Sequence, residues 1–157
     1  MIGTRDALGL KIKIVGVVAE AANAYLRSFT AGRGVVTNSA LTFADGMAVR
    51  VPDPTALEVI RKGAERIVEV SEDEIAEAIR SIYSATHNCA EGAGAAALAA
   101  LTKEHGRLQG RRAAVILTGQ KHRSHMDADR AGGRKRPKFA DGPFAVERDR
   151  SPCLLQG

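Results

Sequence analysis

Apolar positions in this chain come in short blocks divided by turn residues, and the period changes from block to block. Lys11, Ile12, Lys13 and Ile14 alternate, and residues 15–19 are then apolar on both faces, as in a strand buried in a parallel sheet. A helix is expected over about residues 22–29, broken by the glycines at 32 and 34, and residues 35–39 read as a loop or a short extended piece. Asp45 and Gly46 mark a turn, and Pro52, Asp53 and Pro54 mark a loop. Pro54 suits the first turn of a helix running to about residue 62, where its missing N–H is not needed. Residues 65–70 read as a short strand. Ser71 with Glu74 then forms a capping box, and Ile75, Ile79, Ile82 and Tyr83 recur at helical spacing up to His87 and Asn88. From residue 91 a helix of almost only small residues runs on until Gly106 ends it. Residues 108–112 read as a surface loop, and residues 112–118 as a last apolar strand closing in a polar turn at Gly119.

Strands and helices thus alternate at short intervals, which predicts an α/β fold with a mainly parallel sheet and flanking helices. Residues 1–10, with Gly3, Ala7 and Gly9, read as the end of a helix. A chain that opens one helix-end before a buried strand is expected to lack an N-terminal portion.

After residue 120 the pattern stops. Residues 121–157 hold nine Lys and Arg against five Asp and Glu, which is +4 of the chain's net +5. The division expected is therefore a globular part over 1–120 and a basic, disordered tail over 121–157. The abrupt change at this point resembles translation in a different frame. A basic arm could hold nucleic acid through its phosphates, and His122 and His125 could contribute to a weak metal site. Charge runs are more often plain solvated segments. With aromatics at 4% and no tryptophan, a stacking platform for single strands is poorly supported. Cys89 and Cys153 lie far apart with no metal spacing. No run is long and apolar enough to suggest a membrane span, so the expectation is a reduced, cytoplasmic setting.

Two residues stand where chemistry is expected in such a fold, because ligands bind beyond the carboxyl ends of strands in open α/β sheets. Glu91 opens the small-residue helix, and Thr118 ends the last strand. The plain alternative is a helix-capping carboxylate and an ordinary turn residue. His87 reads as a turn histidine, not a catalyst.

Five pieces, in order, resemble the C-terminal part of the serine/threonine dehydratases, pyridoxal-phosphate enzymes of the tryptophan-synthase-β-like fold to which serine racemase is related. They are residues 15–20 with Asn23 and Ala24, residues 44–49, residues 70–75, residues 91–96 and residues 116–120. The resemblance covers roughly residues 8–120. It implies that Thr118 supplies the hydroxyl facing the pyridine nitrogen of pyridoxal phosphate, that Glu91 is the acidic residue near the ring, and that the backbone of Gly46 lies beside it. A neutral hydroxyl partner would leave the ring nitrogen largely unprotonated, which suits β-elimination. Some relatives bind a divalent cation after the first of these strands. Glu20 and the carbonyl of Ala24 match that pattern, but Leu26 stands where it has Asp.

The same resemblance places the Schiff-base lysine in a Ser-x-Lys motif and the phosphate in a glycine-rich loop, both upstream of the matched part. Neither motif occurs in this chain, and Lys11 and Lys13 belong to the first matched strand. The expected parent activity is dehydration and deamination of L-threonine or L-serine, a small amino-acid substrate, with catalytic residues absent from this chain. Two other readings are a non-catalytic remnant able to associate as a homo-oligomer or with an intact homologue, and a nucleic-acid-binding protein acting through the tail.

Overall fold

The computed structural model describes residues 1–119. Two parallel strands form its sheet, β1 (Val15–Ala19) and β2 (Arg66–Val70), paired in register from Val15 opposite Arg66 to Ala19 opposite Val70. Five helices accompany them: α1 (Ile2–Ala7), α2 (Ala24–Ala31), α3 (Pro54–Gly63), α4 (Glu72–Thr86) and α5 (Gly92–Lys103). Single 3-10 turns occupy Glu20–Ala22, Asp45–Met47 and His105–Leu108. Among the described residues no helix is long and apolar enough to cross a membrane.

The local signals act as their chemistry requires. Asp53 caps α3 by accepting the Ala56 N–H at 2.7 Å, with Pro54 in the first turn. At α4 the Ser71 hydroxyl accepts the Glu74 N–H at 3.2 Å, and the Glu74 carboxylate accepts the Ser71 N–H at 2.8 Å. Such a cap contributes about 1 kcal/mol. Ile75, Ala78 and Ile82 then bury one face of α4 against α5, together with Ala19 and Val70 from the ends of the strands. The facing side of α5 is made of Ala95, Ala96, Ala99 and Ala100, all nearly inaccessible. Helices α4 and α5 therefore meet through methyl groups, and α5 also touches both strands. On α3, Ile2 packs against Gly63, and the Arg5 guanidinium donates to the Gly63 carbonyl at 2.7 Å, which docks α1.

Several boundaries differ from expectation. The first strand occupies 15–19, not 11–20, because its ladder lasts only as long as β2 lies beside it. Helix α2 begins at Ala24 after a 3-10 turn, and another such turn, His105–Leu108, leads into the expected loop, which occupies residues 109–112. The larger correction concerns residues 112–118, which form no strand. A strand exists by pairing, and among the described residues no other strand pairs with this segment. Val115, Ile116 and Leu117 stay 39%, 53% and 44% exposed. The expectations for residues 121–157, including disorder, the basic arm, His122 and His125, and the frame change, lie outside the described residues.

An ion-pair cluster ties the end of α5 back to the start of β2. The Arg66 guanidinium donates to both oxygens of Glu104, at 3.1 and 2.5 Å, and Arg107 adds a third contact at 3.4 Å. The bond from Arg66 holds the Glu104 carboxyl below its ordinary value of 4.5, although partial burial opposes it. A carboxyl whose pKa is lowered on folding stabilises the fold above its unfolded pKa, and that contribution is lost as pH falls through the native value. Stability is therefore expected to decline as pH drops below about 4.5. In Glu104→Gln that acid decline, followed by urea midpoints across the range, is expected to be shallower; an unchanged slope would mean the cluster contributes nothing.

Candidate functional site at the start of helix α5

Chain order separates Gly46, Glu91 and Thr118, yet the fold gathers all three around the first turn of α5. Glu91 is the residue before the helix; its side chain makes no capping bond, so the carboxylate is not spent on the helix end. Gly46 belongs to the 3-10 turn Asp45–Met47, and a Cβ placed on it would stand 2.9 Å from the Ala93 Cβ. The Thr118 carbonyl oxygen lies so close to Gly94 that a Cβ there would overlap it. The next residue returns to the helix start, where the Glu91 N–H donates to the Gly119 carbonyl at 3.4 Å.

The loop carrying Gly46 is held from two sides. Phe43 and the Cα of Ala44 press on Gly92, at 2.8 and 3.0 Å from where its Cβ would be. The Phe43 N–H donates to the Glu72 carboxylate at 3.1 Å, and the Ala44 N–H to the Thr42 hydroxyl at 3.1 Å. Glu72 follows β2 by one residue, Ser71, so the site stands at the carboxyl end of the strands, as expected for this class of fold. In sequence, Glu72 is only acidic charge in a first turn, favouring the helix dipole. Its reach to Phe43, 29 residues back, carries no local signal. Gly94 and Gly119 lie within the quoted motifs, where nothing local gives them a role.

Both lysines ahead of β1 lie at the opposite end. Lys13 pairs with Glu65 at 3.1 Å, and these two residues precede β1 and β2; Lys11 lies two residues earlier, exposed. Lys62 pairs with Glu58 on α3. Lys103, the last residue of α5, lies roughly 17 Å along the helix from its first turn and bonds to Glu74 and to the Glu69 carbonyl. Of the cation candidates, Glu20 is exposed in a 3-10 turn and Ala24 begins α2, fully buried. Among the described residues no three His, Cys, Asp or Glu gather as a metal site.

Comparison with known proteins bears on the same stretch. A profile described as "Pyridoxal-phosphate dependent enzyme" matches residues 2–119. The L-threonine ammonia-lyase of Thermotoga maritima is 32% identical over 109 residues, covering 69% of this chain and 27% of that enzyme. The catabolic L-threonine dehydratase of Escherichia coli K12 is 34% identical over 110 residues, covering 69% of this chain and 33% of that enzyme. Among solved structures, a T.th. threonine deaminase superposes with a TM-score of 0.70 at 30% identity, over 75% of this chain and 43% of that one. The chain thus spans between about a quarter and two fifths of the length of these relatives. It belongs to the pyridoxal-phosphate-dependent enzyme family, and its described residues form part of the tryptophan-synthase-β-like domain of that family.

Proposed function

We propose that this chain is the part of an L-threonine or L-serine ammonia-lyase that faces the edge of the pyridoxal-phosphate ring, and that it turns over no substrate by itself. The observation that carries the reading is the gathering of Gly46, Glu91 and Thr118 about one helical turn at the carboxyl end of the strands. Relatives named threonine ammonia-lyase and threonine dehydratase over the same residues support the substrate class.

The described residues fit the cofactor incompletely. Thr118 offers a neutral hydroxyl and Glu91 a carboxylate free of the helix end, which suits one edge of the ring. Bound in a whole site, the cofactor would act as an electron sink for elimination. Among the described residues no glycine-rich cradle for its phosphate is present, and none of the four lysines stands at the helix start. No catalytic step is therefore assigned to this chain.

The test is to add pyridoxal phosphate to the purified chain, record absorbance before and after borohydride, and assay 2-oxobutanoate from threonine alongside. No reducible linkage and no product are expected. A borohydride-fixed cofactor together with product would overturn the reading.

A second reading is an association module that acts only when joined to another polypeptide. It is favoured by the exposed apolar residues Val115, Ile116 and Leu117 in a segment without ladder partners among the described residues. Light scattering on the same sample decides it, since the mass of a single chain at every concentration would remove it.

A further inference from the structure

We propose that Gly94 and Gly119 are positioning residues: by lacking side chains they let the Thr118–Gly119 peptide lie flat on the first turn of α5, and so fix where the Thr118 hydroxyl stands. The case rests on space at both ends of that peptide. A Cβ on Gly94 would overlap the Thr118 carbonyl oxygen and would come within 2.8 Å of the carbonyl carbon and 3.3 Å of the Thr118 nitrogen. These are backbone atoms, so no rotamer change could make room. On the other side Gly119 has a φ of +77°, a left-handed conformation that suits glycine. A Cβ there would collide with the Glu91 carboxyl group.

This contact is the main hold on the segment. The last backbone bond before it is Arg111 N–H to the Leu108 carbonyl at 2.9 Å, and the next is Glu91 N–H to the Gly119 carbonyl at 3.4 Å. Between them residues 112–118 make no backbone hydrogen bond among the described residues. Thr118 is exposed, and its hydroxyl is not engaged by any described residue. The peptide is thus clipped to the helix while the hydroxyl is presented outward. What that hydroxyl does for a cofactor rests on the function proposed above. The anchoring itself does not, and it can be measured with no cofactor present.

The experiment is an amide NMR spectrum of the full 157-residue chain, labelled with nitrogen-15, comparing Gly94→Ala with the unaltered protein and with Gly106→Ala. Nothing lies within 4 Å of where a Cβ on Gly106 would stand, so that variant is the control. In Gly94→Ala the Thr118, Gly119 and Glu91 amides are expected to shift, and exchange of the Glu91 amide to speed at least roughly tenfold, while β1 and β2 keep their protection. By helix propensity alone this substitution would strengthen α5, so a merely structural glycine predicts the opposite change. Unmoved Thr118 and Gly119 signals in a folded Gly94→Ala would overturn the proposal. Should that variant not fold, Gly119→Ala, outside the helix, decides: a released Glu91 amide supports the clip, and an unchanged one sinks it.

Discussion

Replacing Ile75 by alanine is expected to destabilise the folded part of the chain by about 3 kcal/mol, within the range of large-to-alanine substitutions in cores. Ile75 is fully buried, the first apolar residue of α4, and one of the largest side chains wholly shielded from water. Its cluster includes Ala19, Val70, Ala78, Ala95, Ala96 and Ala99. The alanines among these neighbours cannot fill the space left by the lost carbons, because alanine has no rotamer to change and α5 already lies against both strands. The full cavity term therefore adds to the lost transfer term. With a urea slope of about 1–3 kcal/mol per molar, the unfolding midpoint should fall by roughly 1–3 M. A protein holding only a few kcal/mol would already be unfolded in water. A midpoint loss worth under about 1 kcal/mol would mean that α4 and α5 do not meet as described.

How much of this was legible in the sequence depends on how local each cause is. The capping box at Ser71 and Glu74 is written in four consecutive residues, and α4 begins where it says. The run of small residues after Glu91 read as a helix and is one, with Ala95, Ala96 and Ala99 buried on it. Strand β2 was also legible, as a short stretch rich in β-branched residues between a helix and a cap. Residues 112–118 were not, although they carry the composition of a strand, because pairing depends on a partner far away in sequence. The site shows the same division. Gly46, Glu91 and Thr118 could be singled out by motif order, but no spacing along the chain says that all three come to the first turn of α5. Nor could it show that Glu72 holds the Phe43 backbone, or that Gly94 makes room for the Thr118 carbonyl. Those facts come from α5 meeting separate stretches of chain at its first turn.

The complementary substitution, Ala95→Leu, is expected to cost about 2–3 kcal/mol by overpacking instead of by a cavity. Ala95 is fully buried, and with Gly92, Ala96, Ala99 and Ala100 it forms the seam of α5 at helical spacing. A leucine would gain transfer free energy if space existed, roughly 0.8 kcal/mol for each buried carbon. Here the methyl group already meets the α4 cluster and the ends of the strands, so the added carbons must push α5 outward. That movement breaks contacts along the whole seam, and it also carries the first turn of α5 away from Gly46, whose Cα fits closely over Ala93. The control is Ala97→Leu, on the half-buried side of the same helix, where the same carbons can lean into water. Thermal or urea unfolding of both variants reads the difference. If Ala95→Leu costs no more than Ala97→Leu, the small residues of α5 serve only helix propensity and the close seam is wrong. If it costs clearly more, close packing of methyl on methyl is what sets the height of α5 over the sheet, and with it the place where the Thr118–Gly119 peptide meets the helix start.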